Sequence, residues 1–391
     1  MSFQQTGHRL LHGSAQTAGQ DPDPATTASN QRRIPLAEID IGPIESGYVN
    51  TAMTTGWISG TGPFVRSFER RIAERIDRRH VVATANGTLA IELALRALGI
   101  GPGDEVIVPV LTFAAPASSV LAVGATPVLV DIDPVTWTIA PAEAARHRTD
   151  RTRAVIAVDV LGHPADYDAL TDLGLPVIED AAEAHGAKYK GRPVGSLGDI
   201  ATFSFHANKS IATGEGGCAA TDSAELADQM RVIANHGMRP ERPYLHETVG
   251  RNFRMTNLTA AVGLGQLDRW DELLGARALV VKRYSELLAD VECQPRPVAH
   301  WADYSCWLHT LRVANRDAVV AGLQNLGIDA RAIWPLLSTQ SVFGHAAGPF
   351  PVATEVADTA FWLPTFARMT AEDIRFVADS LKAAISRKPG R

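Results

Sequence analysis

Val177-Ile178-Glu179-Asp180-Ala181-Ala182 is a short apolar run that ends in two carboxylates. A run of that length bounded by polar residues reads as a buried strand, and in an open α/β sheet the carboxyl ends of the strands are where ligands bind. One of the two carboxylates is therefore expected to face a site. Working outward, similar β-branched runs recur at Val81–Ala83, Val106–Val108, Val128–Ile132, Val155–Val160 and Ala201–Phe205. Between them lie Ala- and Leu-rich stretches with helical character, such as Phe64–Ile76, Leu89–Leu98 and Pro116–Val123. This alternation predicts a mostly parallel sheet with helices on both faces. From about Leu267 the pattern changes. A helix around Ala276–Leu288, a strand over Leu308–Val313, a helix over Arg316–Leu326 and a last helix over Ala371–Ile385 describe a smaller α+β domain.

On this pattern the chain divides into a tail over 1–33, a large α/β domain over 34–266 and a small α+β domain over 267–391. The tail is rich in Gln, Ser, Thr, Ala, Gly and Asp and lacks the apolar stretch of a signal peptide, so it is expected to be disordered; order is expected to begin at Ile34-Pro35-Leu36. Composition narrows the function classes. Hydrophobic residues make up 46% of 391, enough for a sizeable core, while a net charge of −6 and a pI near 6.1 argue against nucleic acid as a partner. No window approaches the length of apolar residues needed to span a membrane. Cys218, Cys293 and Cys306 are few, odd in number and without C-x-x-C spacing, which suggests neither a disulfide framework nor a metal site and fits a reducing cytoplasm.

The chemistry concentrates after this carboxylate-bearing strand. Thr202-Phe203-Ser204-Phe205-His206-Ala207-Asn208-Lys209 is a strand leading to a lysine, followed by Gly214-Glu215-Gly216-Gly217. The chain has few lysines, and Lys188, Lys190, Lys282, Lys382 and Lys388 lie in polar or helix-surface surroundings, which leaves Lys209 apart. An amine beside a strand end, partly desolvated, is what attack on a carbonyl needs. A lone lysine is more often a solvated surface residue. An aspartate at a preceding strand end, suited to a protonated pyridine nitrogen, shifts the reading towards pyridoxal 5′-phosphate. Ala85-Asn86-Gly87-Thr88 opens a helix, so its free backbone N–H groups, the glycine and the threonine hydroxyl form a phosphate cradle. Alone, N-G-T at a helix start is an ordinary cap. Phe113, just past Val106–Pro109, is placed either to stack on a cofactor ring or to pack in the core.

Taken in order, these segments resemble the DegT/StrS family of sugar aminotransferases, fold type I pyridoxal-phosphate enzymes. Glu179–Ala187, Gly195–Asp199 and Phe203–Gly217 carry most of the likeness; Gly56-Trp57-Ile58-Ser59-Gly60, Gly101–Val106 and Asn252–Asn257 add to it and point to the GDP-perosamine synthase branch, which aminates a GDP-linked 4-keto-6-deoxy sugar. The resemblance implies that Lys209 holds the cofactor covalently and acts as base. It further implies that Asp180 pairs with the pyridinium nitrogen, that Phe113 stacks on the ring, and that Gly87, Thr88 and Ser204 hold the phosphate. Glu183 is placed near the cofactor's phenolic oxygen or the incoming substrate. Asn252 would reach the phosphate of the other subunit, which makes a homodimer with shared sites the smallest active unit. Trp57, Ser59, His206, Arg331 and Trp334 are implied substrate contacts. The segments His206-Ala207-Asn208 and Arg331–Ser338 depart from the family's usual pattern, so the acceptor pocket is expected to be altered.

The expected reaction is transfer of an amino group from an amino acid, with L-glutamate the expected donor, to a keto sugar; a keto-cyclitol is the alternative acceptor. A related branch that dehydrates sugars carries histidine in place of the lysine, so Lys209 favours transamination. A non-catalytic regulatory paralogue is disfavoured by the complete Asp180 and Lys209 pair. A dinucleotide-dependent oxidoreductase is disfavoured by the lack of a G-x-G-x-x-G after the first strand.

Overall fold

The computed structural model describes residues 32–343 and 348–386. The tail expected over 1–33 therefore lies, up to residue 31, outside the described residues, as does Lys388. Seven strands form the main sheet: β1 His80–Thr84, β2 Glu105–Pro109, β3 Thr126–Val130, β4 Thr152–Val158, β5 Val177–Asp180, β6 Ile200–Ser204 and β7 Gly217–Thr221. Their order is β1-β7-β6-β5-β4-β2-β3, and only β7 runs against its neighbours. The mostly parallel α/β fold read from the sequence, that of a fold type I transferase, is the one found.

Strand periodicity explains why both faces are covered. Val106 and Val108 point into a core built around the helix Gly87–Ala97, whereas Ile107 between them joins Val155, Ala157 and Val177 in a core on the opposite face. Strand β7 carries no β-branched run, and its Gly217-Cys218-Ala219-Ala220 was not legible as a strand. Its small residues are demanded by packing: a Cβ at Gly217 would lie 2.4 Å from the Asn86 carbonyl carbon, so the helix Gly87–Ala97 can start only over a glycine. The helix Pro43–Thr55 was also unforeseen, since glycine, asparagine and threonines dilute its propensity. It is held by packing on Asn257–Asp268, where a Cβ at Gly265 would come within 2.7 Å of Glu45 Cα.

The open edge of β1 is blunted. Ala83 N donates to Glu69 Oε1 at 2.9 Å, Arg231 Nη2 donates to the Val81 carbonyl at 2.8 Å, and the two side chains pair at 3.2 Å. The C-terminal part forms an antiparallel sheet of β8 Gln294–Pro295, β9 His309–Arg312, β10 Arg331–Ala332 and β11 Ala360–Leu363, in the order β8-β9-β11-β10. Helices Arg316–Gln324 and Ala371–Ser386 pack with it around Leu311, Leu323, Phe361, Val377 and Leu381. Ile34 belongs to this core too: its N–H donates to the Gly327 carbonyl at 2.9 Å and its carbonyl accepts from Asp329 N at 2.9 Å.

Candidate active site

The parallel strands end together, and the register decides which side chains meet. Asp180 stands level with Val158 of β4 and Thr202 of β6. Asp159 thus follows one strand end, Asp180 closes the next, and Ser204 closes the third. Asp180 is 5% exposed and its Oδ1 accepts from Ala182 N at 3.2 Å. Burial pushes its carboxyl up to about 7, the nearby Glu183 charge adds to this, and Lys209 opposes it. A carboxylate so placed calls for a cation, and a protonated ring nitrogen is one.

Beyond β6 the chain makes an excursion that returns to β7. Phe205 N donates to the Gly216 carbonyl at 2.8 Å, Ala207 N to the Gly214 carbonyl at 2.9 Å, and Lys209 N to the His206 carbonyl at 2.8 Å. These bonds fix the turn that carries Lys209. Its Nζ lies 3.4 Å from Glu183 Oε1 and 3.8 Å from the Trp307 ring centroid, with the side chain 11% exposed. Glu183 is itself fixed, because its Oε2 accepts from Leu161 N at 2.8 Å. Lys209, distant in the sequence from Asp180 and Glu183, is their neighbour in space.

The third element is the helix start at Gly87. Asn86 caps it by accepting from Leu89 N at 2.9 Å, while the N–H groups of Gly87 and Thr88 find no acceptor among the described residues. Gly87 abuts Ser204, for a Cβ there would lie 2.7 Å from Ser204 Cβ, and Thr88 is exposed. Free N–H groups, two hydroxyls and the positive end of a helix make an anion cradle. Phe113, past β2, is 56% exposed, which leaves its ring face open to a planar ligand. A buried acid, a lysine, an anion cradle and an open aromatic face fit pyridoxal phosphate group by group.

The remaining sequence candidates are more dispersed. Trp57 and Ser59 are exposed, and their carbonyls anchor Asn257, which donates from Nδ2 to Trp57 at 2.6 Å and from N to Ser59 at 2.7 Å. His206 Nδ1 lies 2.9 Å from Asn208 Oδ1 on the same turn as Lys209. Asn252 is exposed, with Oδ1 accepting from Arg254 Nε at 2.9 Å. Arg331 forms a paired contact with Asp329 at 2.8 and 2.9 Å, and its hydrogen bonds go to neither Lys209, Asp180 nor Glu183. Trp334 packs against Trp307, ring centroids 6.3 Å apart and stacked, and edge-on against Trp362 at 4.9 Å.

Three residues went unnoticed in the sequence. Trp307 is the aromatic floor beneath Lys209, and only its tryptophan identity within an ordinary strand approach marks it. Arg277, buried in the helix Trp270–Leu287, donates to the carbonyls of Trp307 at 2.9 Å, Thr365 at 2.8 Å and Lys209 at 3.2 Å. Asp159 accepts from Ala165 N and the Tyr167 hydroxyl, both at 2.8 Å; burial and the charge of Glu179 hold its carboxyl well above the usual range. His185 keeps both ring nitrogens buried with no hydrogen-bond partner among the described residues, packs against Phe203, Phe205 and Trp270, and is pushed down to about 3 by burial, so it stays neutral.

A main sheet of this order with a lysine and an acid meeting at its strand ends defines a pyridoxal-phosphate-dependent aminotransferase. Residues 40–382 match the DegT/DnrJ/EryC1/StrS aminotransferase family. The chain belongs to that family. Among its relatives, the GDP-perosamine synthase of Caulobacter vibrioides is 42% identical over 90% of this chain and 98% of its own length, and that of Escherichia coli O157:H7 is 34% identical over 91% and 99%. Among solved structures, a sugar aminotransferase from Streptococcus pneumoniae in its PMP form superposes with a TM-score of 0.86 at 29% identity, covering 90% of this chain and 98% of that one. DesV of S. venezuelae, in complex with a ketimine intermediate, gives 0.83 at 34% identity over 88% and 95%.

Proposed function

We propose that this enzyme transfers the amino group of L-glutamate to a nucleotide-linked 4-keto-6-deoxy sugar in amino-sugar biosynthesis, working in the cytoplasm as a homodimer. The observation that carries the reading is the meeting of Lys209, Glu183 and Asp180 beside the open helix start at Gly87. The relatives named GDP-perosamine synthase support the class of acceptor.

When bound, pyridoxal phosphate supplies the electron sink for charge developing at the donor's α-carbon. Asp180 holds the ring nitrogen in its protonated form, which makes that sink effective. Phe113 covers the ring, and Gly87, Thr88 and Ser204 hold the phosphate. Lys209 would hold the cofactor and would serve as the base for the α-proton of the donor, and the neighbouring Glu183 carboxylate would steady its ammonium form. Asn252 extends from an exposed loop to the partner copy's phosphate. Trp57, Ser59, His206, Arg331 and Trp334 are the side chains we assign to the sugar side.

The test begins with the visible spectrum of the purified protein. A band that shifts on adding L-glutamate, with borohydride fixing cofactor mass on Lys209 and none on Lys209→Ala, is the expected result. Amine transfer is then followed with a GDP-linked 4-keto-6-deoxyhexose. Turnover of a keto-cyclitol in its place would move the acceptor assignment, and a protein unable to take up the cofactor would remove the aminotransferase mechanism altogether.

A further inference from the structure

We infer that Trp307, locked in place by Arg277, is a positioning residue that presents Lys209 to the cofactor. The inference rests on the functional reading above. Three contacts carry it. The indole face lies 3.8 Å from Nζ, the indole N–H donates to the Asn208 carbonyl at 2.8 Å, and Arg277 Nη2 donates to the Lys209 carbonyl at 3.2 Å. The peptide on one side of Lys209 and its amine are thus held by one ring, and the peptide on the other side by a guanidinium. Arg277 also donates to the carbonyl of Trp307 at 2.9 Å, so the two parts of the clamp are tied to each other.

The clamp is itself rigid. Trp307 is 4% exposed and stands against Trp334 and Trp362, with ring centroids at 6.3 and 6.0 Å. Arg277 is buried, and its hydrogen bonds go to main-chain carbonyls rather than to a carboxylate. A buried guanidinium spent on backbone oxygens fixes chain position rather than neutralising charge. The excursion that carries Lys209 is shaped by its own turn bonds and by Ala212 N donating to Gln266 Oε1 at 3.3 Å; the contacts from Trp307 and Arg277 are what hold Lys209 itself from the C-terminal part of the chain.

Two forms of the cofactor separate positioning from general packing. Pyridoxal phosphate is captured by Lys209: the neutral amine adds to the aldehyde carbon, a C=N bond forms and water leaves. Pyridoxamine phosphate has no aldehyde and binds through the phosphate cradle, the ring face and Asp180 alone. The measurement is the rate of covalent capture of pyridoxal phosphate by cofactor-stripped protein, beside the dissociation constant of pyridoxamine phosphate.

Trp307→Leu is expected to slow capture by about tenfold or more while changing pyridoxamine phosphate affinity by less than about threefold, since orientation of the amine is lost and the cradle is kept. Trp307→Phe, which retains a ring but not the N–H, should recover part of the rate and decides the matter if the leucine variant does not fold. Arg277→Lys, which keeps the charge and loses the fork, should show the same selective loss. Capture at the wild-type rate in Trp307→Phe and Arg277→Lys, or equal weakening of both cofactor forms, would overturn the inference. Failure of the wild-type protein to take up either form would overturn the aminotransferase reading along with it.

Discussion

Replacing Asp180 by Asn should make the cofactor-free protein more stable, increasingly so as pH rises. Asp180 is buried at the strand end, and its carboxyl is pushed up to about 7 because burial disfavours its charge. In the unfolded chain an aspartate titrates near 3.9. The sign follows from this order: below about pH 4 both states are protonated and the group is neutral to stability, while between about pH 4 and 7 the unfolded state alone ionises and is favoured. At about 1.4 kcal/mol for each pH unit, the gap of roughly three between the folded and unfolded titrations sets a ceiling of about 4 kcal/mol at pH 8, of which about 2.5 kcal/mol accrues between pH 5 and pH 8. Asn removes the penalty and can keep the bond from Ala182 N through its amide oxygen. Urea unfolding of cofactor-stripped wild type and Asp180→Asn, at one protein concentration and at both pH values, reads the difference directly. Local relaxation trims the ceiling without changing its sign. A difference between the two proteins that stays flat from pH 5 to pH 8, or an Asn variant less stable at pH 8, would refute the argument that the site is built to receive a cation.

Glu179→Ala should cost about 3 kcal/mol or more in urea unfolding, because the N–H groups of Gly195, Leu197 and Gly198 all donate to that buried carboxylate and would be left without an acceptor. Gly87→Ala should weaken cofactor binding by roughly tenfold or more, measured by equilibrium titration with pyridoxamine phosphate, since the added methyl would stand 2.7 Å from Ser204 Cβ and push the cradle apart. Asp159→Ala should cost about 2–3 kcal/mol by stranding Ala165 N and the Tyr167 hydroxyl, whereas Asp159→Asn, whose amide oxygen can keep both bonds, should cost less. Thermal or urea unfolding distinguishes the pair.

The sheet was legible where its strands are made of β-branched residues, as in Val106–Val108 and Val155–Val158, because that pattern reports burial on both faces. It was not legible at Gly217–Thr221, where close packing of a helix start selects glycine and alanine and erases the strand signature. Asp180, which closes a strand, and Lys209, five residues beyond the end of the next, stood out in the sequence because each lies within a motif. The pairing of Lys209 with Glu183 at 3.4 Å was foreshadowed only by the resemblance, since nothing in the spacing of residues 183 and 209 says that their loops converge. Trp307 and Arg277 were invisible for a deeper reason: they come from the C-terminal part of the chain, and a contact between distant segments leaves no local pattern.

Backbone geometry also explains why the cofactor side of this site is easier to read than its acceptor side. The cofactor elements are each set by the path of the main chain: the helix start at Gly87, the strand ends at Asp180 and Ser204, the hairpin-like excursion carrying Lys209. Such positions admit few residue types, so their identities announce them. The sugar-side candidates obey no such rule. Arg331 is held by Asp329 and Trp334 is part of an aromatic stack, so each has a structural duty that would select the same residue without any substrate, while Trp57 and Ser59 bond Asn257 only through main-chain carbonyls that any residue would supply. Of these, Trp334 is joined to Lys209 through a single intervening ring, that of Trp307. A change at Trp334 should therefore be felt at the amine as well as at the acceptor, whereas a change at Arg331 should alter at most the acceptor. Measuring the glutamate half-reaction alone, with no sugar present, separates the two: Trp334→Leu should slow it and Arg331→Ala should leave it unchanged.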